Sequence, residues 1–318
     1  MSAQSRYGLS IGILGSMLVV MSACVQTGAE PPPAPSSTER GSEIVVGAFD
    51  FSESDLLAHL YGEALRSENL PVDIIGSVAP REVLLPALEQ GVIDIVPEYM
   101  GSALSFASLE RVTRSLPADR THRRLAEELK PKGIVALDYA RAENKNELVV
   151  TEELATRFSL DTVSDLTIAD GNLIFGGPPE CPDRPLCLPA IERTYGLDFA
   201  EFQPLDAGGP VTAASLRGGE VHVAVMFTTD PDIKNERFVI LRDDRRLQPS
   251  ENIVPVVRVE VVDTYGHLVA RTLNSVTAEL TPRALRRLNE RVEIGGESPS
   301  EVARGWVEQL EPAEESRS

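Results

Sequence analysis

The segment 81–102, REVLLPALEQGVIDIVPEYMGS, constrains the fold more than any other part of this chain. Val83, Leu84, Ala87 and Leu88 recur at helical spacing, so the segment opens as a helix with one apolar stripe. Gly91 stands where a helix ends on a residue that tolerates positive φ. Val92, Ile93, Ile95 and Val96 then read as a short buried strand, which Pro97 is expected to stop. Residues 98–102 read as a loop at the C-terminal edge of a sheet, the edge at which open α/β sheets bind ligands.

The same plan returns at 211–230, VTAASLRGGEVHVAVMFTTD. A helix stops at Gly218-Gly219, a strand follows over 221–226, and an aromatic residue precedes two threonines. Two such units, each ending in an aromatic and a hydroxyl, predict two α/β lobes facing one cleft. Polar text at 138–147 and at 242–251 reads as two crossings between lobes. The chain therefore divides into lobe I, residues 43–140 with 250–318, and lobe II, residues 141–249. Two crossings are the topology of a clamshell that closes on a ligand.

Within that frame, strands are expected at 43–49, 72–75, 134–137, 148–150, 172–175, 237–241 and 253–257. Ser52 is placed to cap a helix whose buried face is Leu57, Leu60, Tyr61, Ala64 and Leu65. Thr281-Pro282 and Ser298-Pro299 each put a cap residue before a proline at the first helical position.

Residues 1–23 stand apart from the fold. Arg6, an apolar core over 9–20 and small residues before Cys24 have the layout of a signal peptide. The end, Met21-Ser22-Ala23-Cys24, resembles a bacterial lipobox, in which Cys24 becomes the lipidated first residue. The alternative is an ordinary signal peptide with an incidental cysteine. One acyl chain anchors a protein only marginally; several anchor it firmly. Residues 24–42, rich in Pro, Ser, Thr and Glu, cannot bury a core and read as an extended tether of about 3 Å per residue.

The formal net charge of −19 argues against a nucleic-acid backbone as partner. Cys181 and Cys187, in ECPDRPLC, are expected to form a disulfide in an exported chain. Two free thiols or a metal pair are the alternatives, although no further zinc ligands stand at a useful spacing. No GxxxxGK[ST], HExxH or CxxC occurs in the sequence. The GxSxG letters at 8–12 fall in the signal segment, away from any strand-to-helix elbow. His59, His122, His222 and His267 are scattered, and Asp243-Asp244 reads as solvated charge in a crossing. The expectation is a chain without catalytic residues, cofactor or metal.

The segment 87–102, of the form ALxxGxIDIxPEYxGS, resembles the signature of the glycine betaine/choline-type substrate-binding proteins of ABC importers. Three further segments resemble the same family: GAFDFSE at 47–53, LIFGGPP at 173–179 and FTTD at 227–230. The resemblance implies a type II periplasmic-binding-protein fold, two α/β lobes joined by two crossing strands. It implies an extracytoplasmic, lipid-anchored monomer that passes a small osmoprotectant to ABC permease subunits. Its ligands are quaternary ammonium compounds, cations without N–H donors that are held on aromatic faces. The ligand residues so implied are Phe49, Asp50, Phe51, Tyr99, Ser102, Asn146, Asp206, Phe227, Thr228 and Thr229. Tyr99→Ala is accordingly expected to weaken binding without unfolding the protein. Ser102 stands for the family's threonine, beside helix N-terminal amides that suit an anionic group. Two positions depart from the pattern: Phe49 replaces a lysine that meets a carboxylate, and Asn146 replaces a cage tyrosine. These departures leave open a polyol, a sugar-like or an aromatic ligand. A ligand-sensing module docking on a membrane receptor is the second functional class, and a secreted enzyme the third.

Overall fold

The computed structural model describes residues 43–77, 79–108, 116–169 and 172–310. The expected signal segment 1–23, the lipidation expected at Cys24 and the expected tether 24–42 lie outside the described residues. Among the described residues the strands are β1 (Ile44–Gly47), β2 (Val72–Ile75), β3 (Ile95–Tyr99), β4 (Ile134–Ala136), β5 (Asn146–Thr151), β6 (Ile174–Gly177), β7 (Glu201–Pro204), β8 (Val223–Phe227), β9 (Phe238–Leu241) and β10 (Ile253–Arg258). Most are short runs of Val and Ile, residues whose branched side chains pack well on a pleated surface.

These strands form two five-stranded sheets of matching plan, ordered β2-β1-β3-β10-β4 and β7-β6-β8-β5-β9. In each sheet one strand runs against its neighbours: β10 is antiparallel to β3 and β4, and β5 is antiparallel to β8 and β9. Both are the strands on which the chain arrives after a crossing. The two helix–glycine–strand units occupy equivalent places, because β3 and β8 are each the central strand of their sheet. The architecture is that of a type II periplasmic-binding protein, two α/β lobes joined by two crossings.

Lobe II shows why its strands are apolar on both faces. Along β5, Leu148 and Val150 enter one apolar cluster and Val149 the other; along β8, Val223 and Val225 alternate with Ala224 and Met226 in the same way. Successive side chains point to opposite faces, and helices cover both. In lobe I the helix Ser52–Ser67 buries Leu57, Leu60, Tyr61 and Leu65 completely and packs along the last helix, Pro299–Leu310. Thr281 and Ser298 accept hydrogen bonds from the backbone N–H groups of Ala284 and Glu301, capping the last two helices.

The organising unit differs from its sequence reading in three respects. The helix Arg81–Glu89 buries Leu84, Leu85 and Leu88, while Val83 is 56% exposed. Gly91, at φ +70°, ends it; a Cβ there would lie 2.2 Å from the Arg258 guanidinium. Residues 92–94 form a turn, with the N–H groups of Val92 and Ile93 both on the Ala87 carbonyl. The strand begins at Ile95 and runs through Pro97 to Tyr99. Pro97 is tolerated because it lies opposite Pro255. Neither residue has an N–H, so they meet at a non-hydrogen-bonded pair of the antiparallel ladder. A helix, Met100–Ala107, starts where a loop was expected.

Smaller departures have similar local causes. Ser52 is the first helical residue and not the cap; Ser54 instead accepts from the Phe49 N–H. The edge strand β7, EFQP, is half exposed and polar, so it carries no apolar alternation to read. Asp243 is not solvated charge: it accepts from the N–H groups of Leu247 and Gln248 and from the Tyr195 hydroxyl, and so shapes the second crossing. The crossings are bound to each other, through the pair Glu143 and Asn252 and the bond from Asn144 N–H to the Glu251 carbonyl.

Candidate functional site

A cavity of about 820 Å³ opens between the lobes. Lobe I lines it with Phe49, Asp50, Phe51, Arg81, Glu82, Ser102 and Phe106; lobe II lines it with Asn146, Pro178, Pro179, Asp183, Arg184, Asp206 and Phe227. These residues end or follow β1, β2, β3, β6, β7 and β8, or begin β5. That is the sheet edge at which α/β folds gather ligand groups.

An aromatic wall crosses the cleft. Phe51 of lobe I and Phe227 of lobe II have ring centroids 5.2 Å apart. Phe49 stacks behind Phe51 at 6.2 Å, and the outer face of Phe49 is covered by the Arg81 guanidinium, 4.9 Å from its centroid. Arg81 in turn forks onto Glu98, with Nε and Nη2 donating to the two carboxylate oxygens at 2.8 and 2.9 Å. Arg81 therefore spends its charge inside the protein, in the paired geometry that suits guanidinium and carboxylate.

Ser102 and the start of the helix Met100–Ala107 were read as a place for an anionic group of a ligand. The structure fills that place with the protein's own carboxylate. Glu251 Oε2 accepts from the N–H groups of Gly101 and Ser102 at 3.0 and 3.1 Å, and Glu251 Oε1 accepts from the Ser102 hydroxyl at 2.7 Å. Gly101 permits the approach: a Cβ there would lie 2.3 Å from Pro249 Cγ. Glu251 is 1% exposed. Burial pushes its carboxyl up to about 7, against the Ser102 donors and Arg81, which favour the ionised form, and with Glu98, which opposes it.

Tyr99 does not line the cavity. It is 5% exposed, its ring lies 5.9 Å behind Phe51, and its hydroxyl donates to Glu53 Oε1 at 2.8 Å. Glu53 is the centre of a buried network. Asn144 donates to Oε1 at 2.8 Å; Thr229 and Asn289 each donate to Oε2 at 2.6 Å. Burial raises the Glu53 carboxyl above its ordinary range, and the four donors pull it back. Four elements meet there: the central strand of lobe I, the first crossing, the loop after β8 in lobe II, and the helix Pro282–Glu293.

The remaining expected site residues divide the same way. Thr228 and Thr229 face inward: the Thr228 hydroxyl accepts from Lys145 N–H, and Thr229 holds Glu53. Asp206 reaches the cavity, but both its oxygens are engaged by the N–H groups of Val211 and Thr212, at 3.0 and 2.8 Å. Asn146 lines the wall beside Phe227, its partner in the β5–β8 register. Asp50 and Asp183 are exposed at the cavity and have no ion-pair partner among the described residues. Cys181 and Cys187 are joined as a disulfide. The loop it closes carries Arg184, whose Nε and Nη2 donate across the cleft to Glu82 at 3.0 and 3.1 Å.

Sequence reasoning missed Glu53, Arg81, Glu82, Phe106, Arg184 and Glu251. All but Phe106 take their places through partners far away along the chain, and a single sequence carries no signal for such pairs. No cluster of His, Cys, Asp and Glu able to hold a metal ion occurs among the described residues.

Two lobes of matching topology around a lined cleft, tied by two crossings, define a solute-binding protein. The chain belongs to the family described as the substrate binding domain of ABC-type glycine betaine transport systems, which matches residues 42–309. It is 29% identical over 276 residues to a glycine-betaine-binding protein of Pseudomonas aeruginosa PAO1, covering 82% of this chain and 86% of that one. It is 25% identical over 280 residues to the glycine betaine-binding protein YehZ of Escherichia coli K12, covering 85% and 92%. Among solved structures, a glycine betaine/carnitine/choline ABC transporter protein superposes with a TM-score of 0.66 at 21% identity, covering 84% of this chain and 98% of that one. The apo form of YehZ gives 0.60 at 25% identity, with 85% and 99% covered.

Proposed function

We propose that this chain captures a small quaternary ammonium solute between its lobes and delivers it to an ABC permease on the extracytoplasmic side of a membrane. The observation that carries the reading is the Phe51–Phe227 wall, built from both lobes beside the unpaired carboxylates of Asp50 and Asp183. A permanent cation is recognised by ring faces and by net negative charge, and needs no hydrogen-bond acceptor. The names of the relatives support the same class of ligand. Capture proceeds by closure about the two crossings, because a permease selects the closed form only if ligand shifts the population. The protein binds its solute and releases it unchanged.

The anchor is Cys24, lipidated after removal of residues 1–23, with 24–42 as tether, and the protein acts as a monomer. Globomycin-sensitive processing with mass spectrometry of the mature N-terminus tests this part. The binding reading is tested by thermal shift against choline, glycine betaine and carnitine. A ligand at one hundred times its Kd adds about 2.7 kcal/mol of stability. A flat response to all quaternary ammonium compounds, with a shift from a polyol, sugar or aromatic compound, would replace the ligand class.

A further inference from the structure

We infer that the cavity selects a quaternary ammonium cation that carries no carboxylate, an amino alcohol such as choline, over the zwitterionic betaines. The inference rests on the binding reading above and deepens it.

A betaine presents two groups to a protein, a methylated ammonium and a carboxylate. The first needs ring faces; the second needs a cation or a set of N–H and O–H donors. The charged donors at this cavity and the amides beside Ser102 are already taken, and the Ser105 hydroxyl and the Asn146 amide are the neutral groups left to a ligand. Arg81 is forked onto the buried Glu98 and stacked on Phe49. Arg184 is forked onto Glu82, and Lys132 donates to Glu89 at 2.8 Å. The amides that open the helix Met100–Ala107 and the Ser102 hydroxyl hold Glu251.

The occupant of that last set makes matters worse for a carboxylate ligand. Glu251 and Glu98 are both buried behind the wall, with the Arg81 guanidinium beside them. Asp50 and Asp183 add unpaired negative charge at the mouth. A ligand carboxylate entering beside Ser102 finds the helix amides occupied and a like charge behind them, with only neutral hydroxyl and amide groups to meet it. A ligand hydroxyl meets neither obstacle, since it can donate to Asp50 or Asp183, the carboxylates that are exposed at the cavity. Glu251 is thus a specificity-determining residue: it backs the wall from inside and occupies the amides that would otherwise complement an anion, leaving no charged donor for one.

Choline and glycine betaine differ only in carrying CH2OH or carboxylate, and titration calorimetry of both into the purified protein reads the preference directly. The expected result is choline bound at least ten times more tightly. Glu251→Ala empties the donor set, and in that variant the ratio is expected to fall at least tenfold, chiefly through tighter betaine binding. If Glu251→Ala does not fold, by circular dichroism, Glu251→Gln removes the like charge and is expected to move the ratio the same way. Equal or tighter binding of glycine betaine to the unaltered protein overturns the inference and leaves the quaternary ammonium reading standing. An unchanged ratio in a folded variant overturns the role of Glu251. Binding of neither compound removes the underlying reading and this inference with it.

Discussion

The Thr229 hydroxyl donates to Glu53 Oε2 at 2.6 Å, so a residue of lobe II is bound to a fully buried carboxylate of lobe I. The same carboxylate receives Tyr99, Asn144 and Asn289. A buried carboxylate persists only when its lone pairs are satisfied, so this network specifies how lobe II sits against lobe I. Thr229→Val removes the bond from the other lobe and leaves three donors in place. Loss of a hydrogen bond to a charged group costs about 1.5–3 kcal/mol. The expected outcome is a drop of about tenfold in ligand affinity, with thermal stability without ligand less affected. Calorimetry and thermal unfolding on one preparation separate the two.

Tyr99 is held inside lobe I by its bond to Glu53. Tyr99→Phe keeps the ring behind Phe51 and loses only the bond to Glu53. It is expected to lower stability by about 1.5–3 kcal/mol, as for any bond to this carboxylate, with affinity within about a factor of two. Tyr99→Ala opens a void in lobe I and is expected to cost about 3–5 kcal/mol, so it does not isolate a binding effect. Chemical denaturation measures both.

Phe227 and Phe51 carry the opposite expectation. Phe227→Ala removes a ring that is half exposed at the cavity, and a desolvated cation–π contact contributes about 2 kcal/mol. Affinity for the preferred cation should fall by about thirtyfold while the unfolding midpoint moves little. An affinity left unchanged in a folded Phe227→Ala protein removes the ring from the site.

The disulfide holds the loop that brings Arg184 to Glu82. Closing so short a loop stabilises a protein by about 2 kcal/mol. Cys181→Ser combined with Cys187→Ser should lower the unfolding midpoint and also weaken ligand binding. Arg184→Ala should reproduce only the second effect, and only mildly, because a partly exposed ion pair contributes about 0–1 kcal/mol. Thermal unfolding with and without reductant, followed by titration, checks the order.

Stability should fall on the alkaline side through two carboxyls at the seam of the lobes. Asp230 caps the helix Pro231–Asn235, which packs on the helix Pro282–Glu293. Burial pushes Asp230 up to about 8, with Glu293, Asp232 and Asp206 adding to the rise, and burial pushes Glu293 up to about 7, with Glu53 and Asp232 adding. Both values lie above those of an unfolded carboxyl, so the folded state binds the extra protons. Their contribution is complete below pH about 4 and is lost as pH rises through about 7 and 8. Between pH about 6 and 9 the loss from Asp230 is about 2 kcal/mol after allowance for its partial exposure. Asp230→Asn keeps the cap oxygen and should flatten the upper part of that fall in a series of thermal unfolding curves.

The lobes were legible because their signals are local. A helix stripe, a glycine at positive φ and a run of Val and Ile within some twenty residues declare one α/β unit, and its repetition at 211–230 declares another. The same holds for the caps at Thr281 and Ser298, where cap and recipient lie three residues apart. Where reading failed locally, a partner strand was responsible: Pro97 breaks an isolated strand, and only the facing Pro255 makes it acceptable.

By itself, then, the sequence determined two α/β units, each ending in an aromatic residue and a hydroxyl, and two crossings, because chain spacing alone sets those properties. Which rings face the cleft, and which carboxylates are spent within the protein, only the tertiary structure decided. Tyr99 and Glu53 are 46 positions apart, and Ser102 and Glu251 are 149 apart. A side chain's role at a site is fixed by the donor or charge that folding brings to it, and no feature of the local sequence encodes that partner.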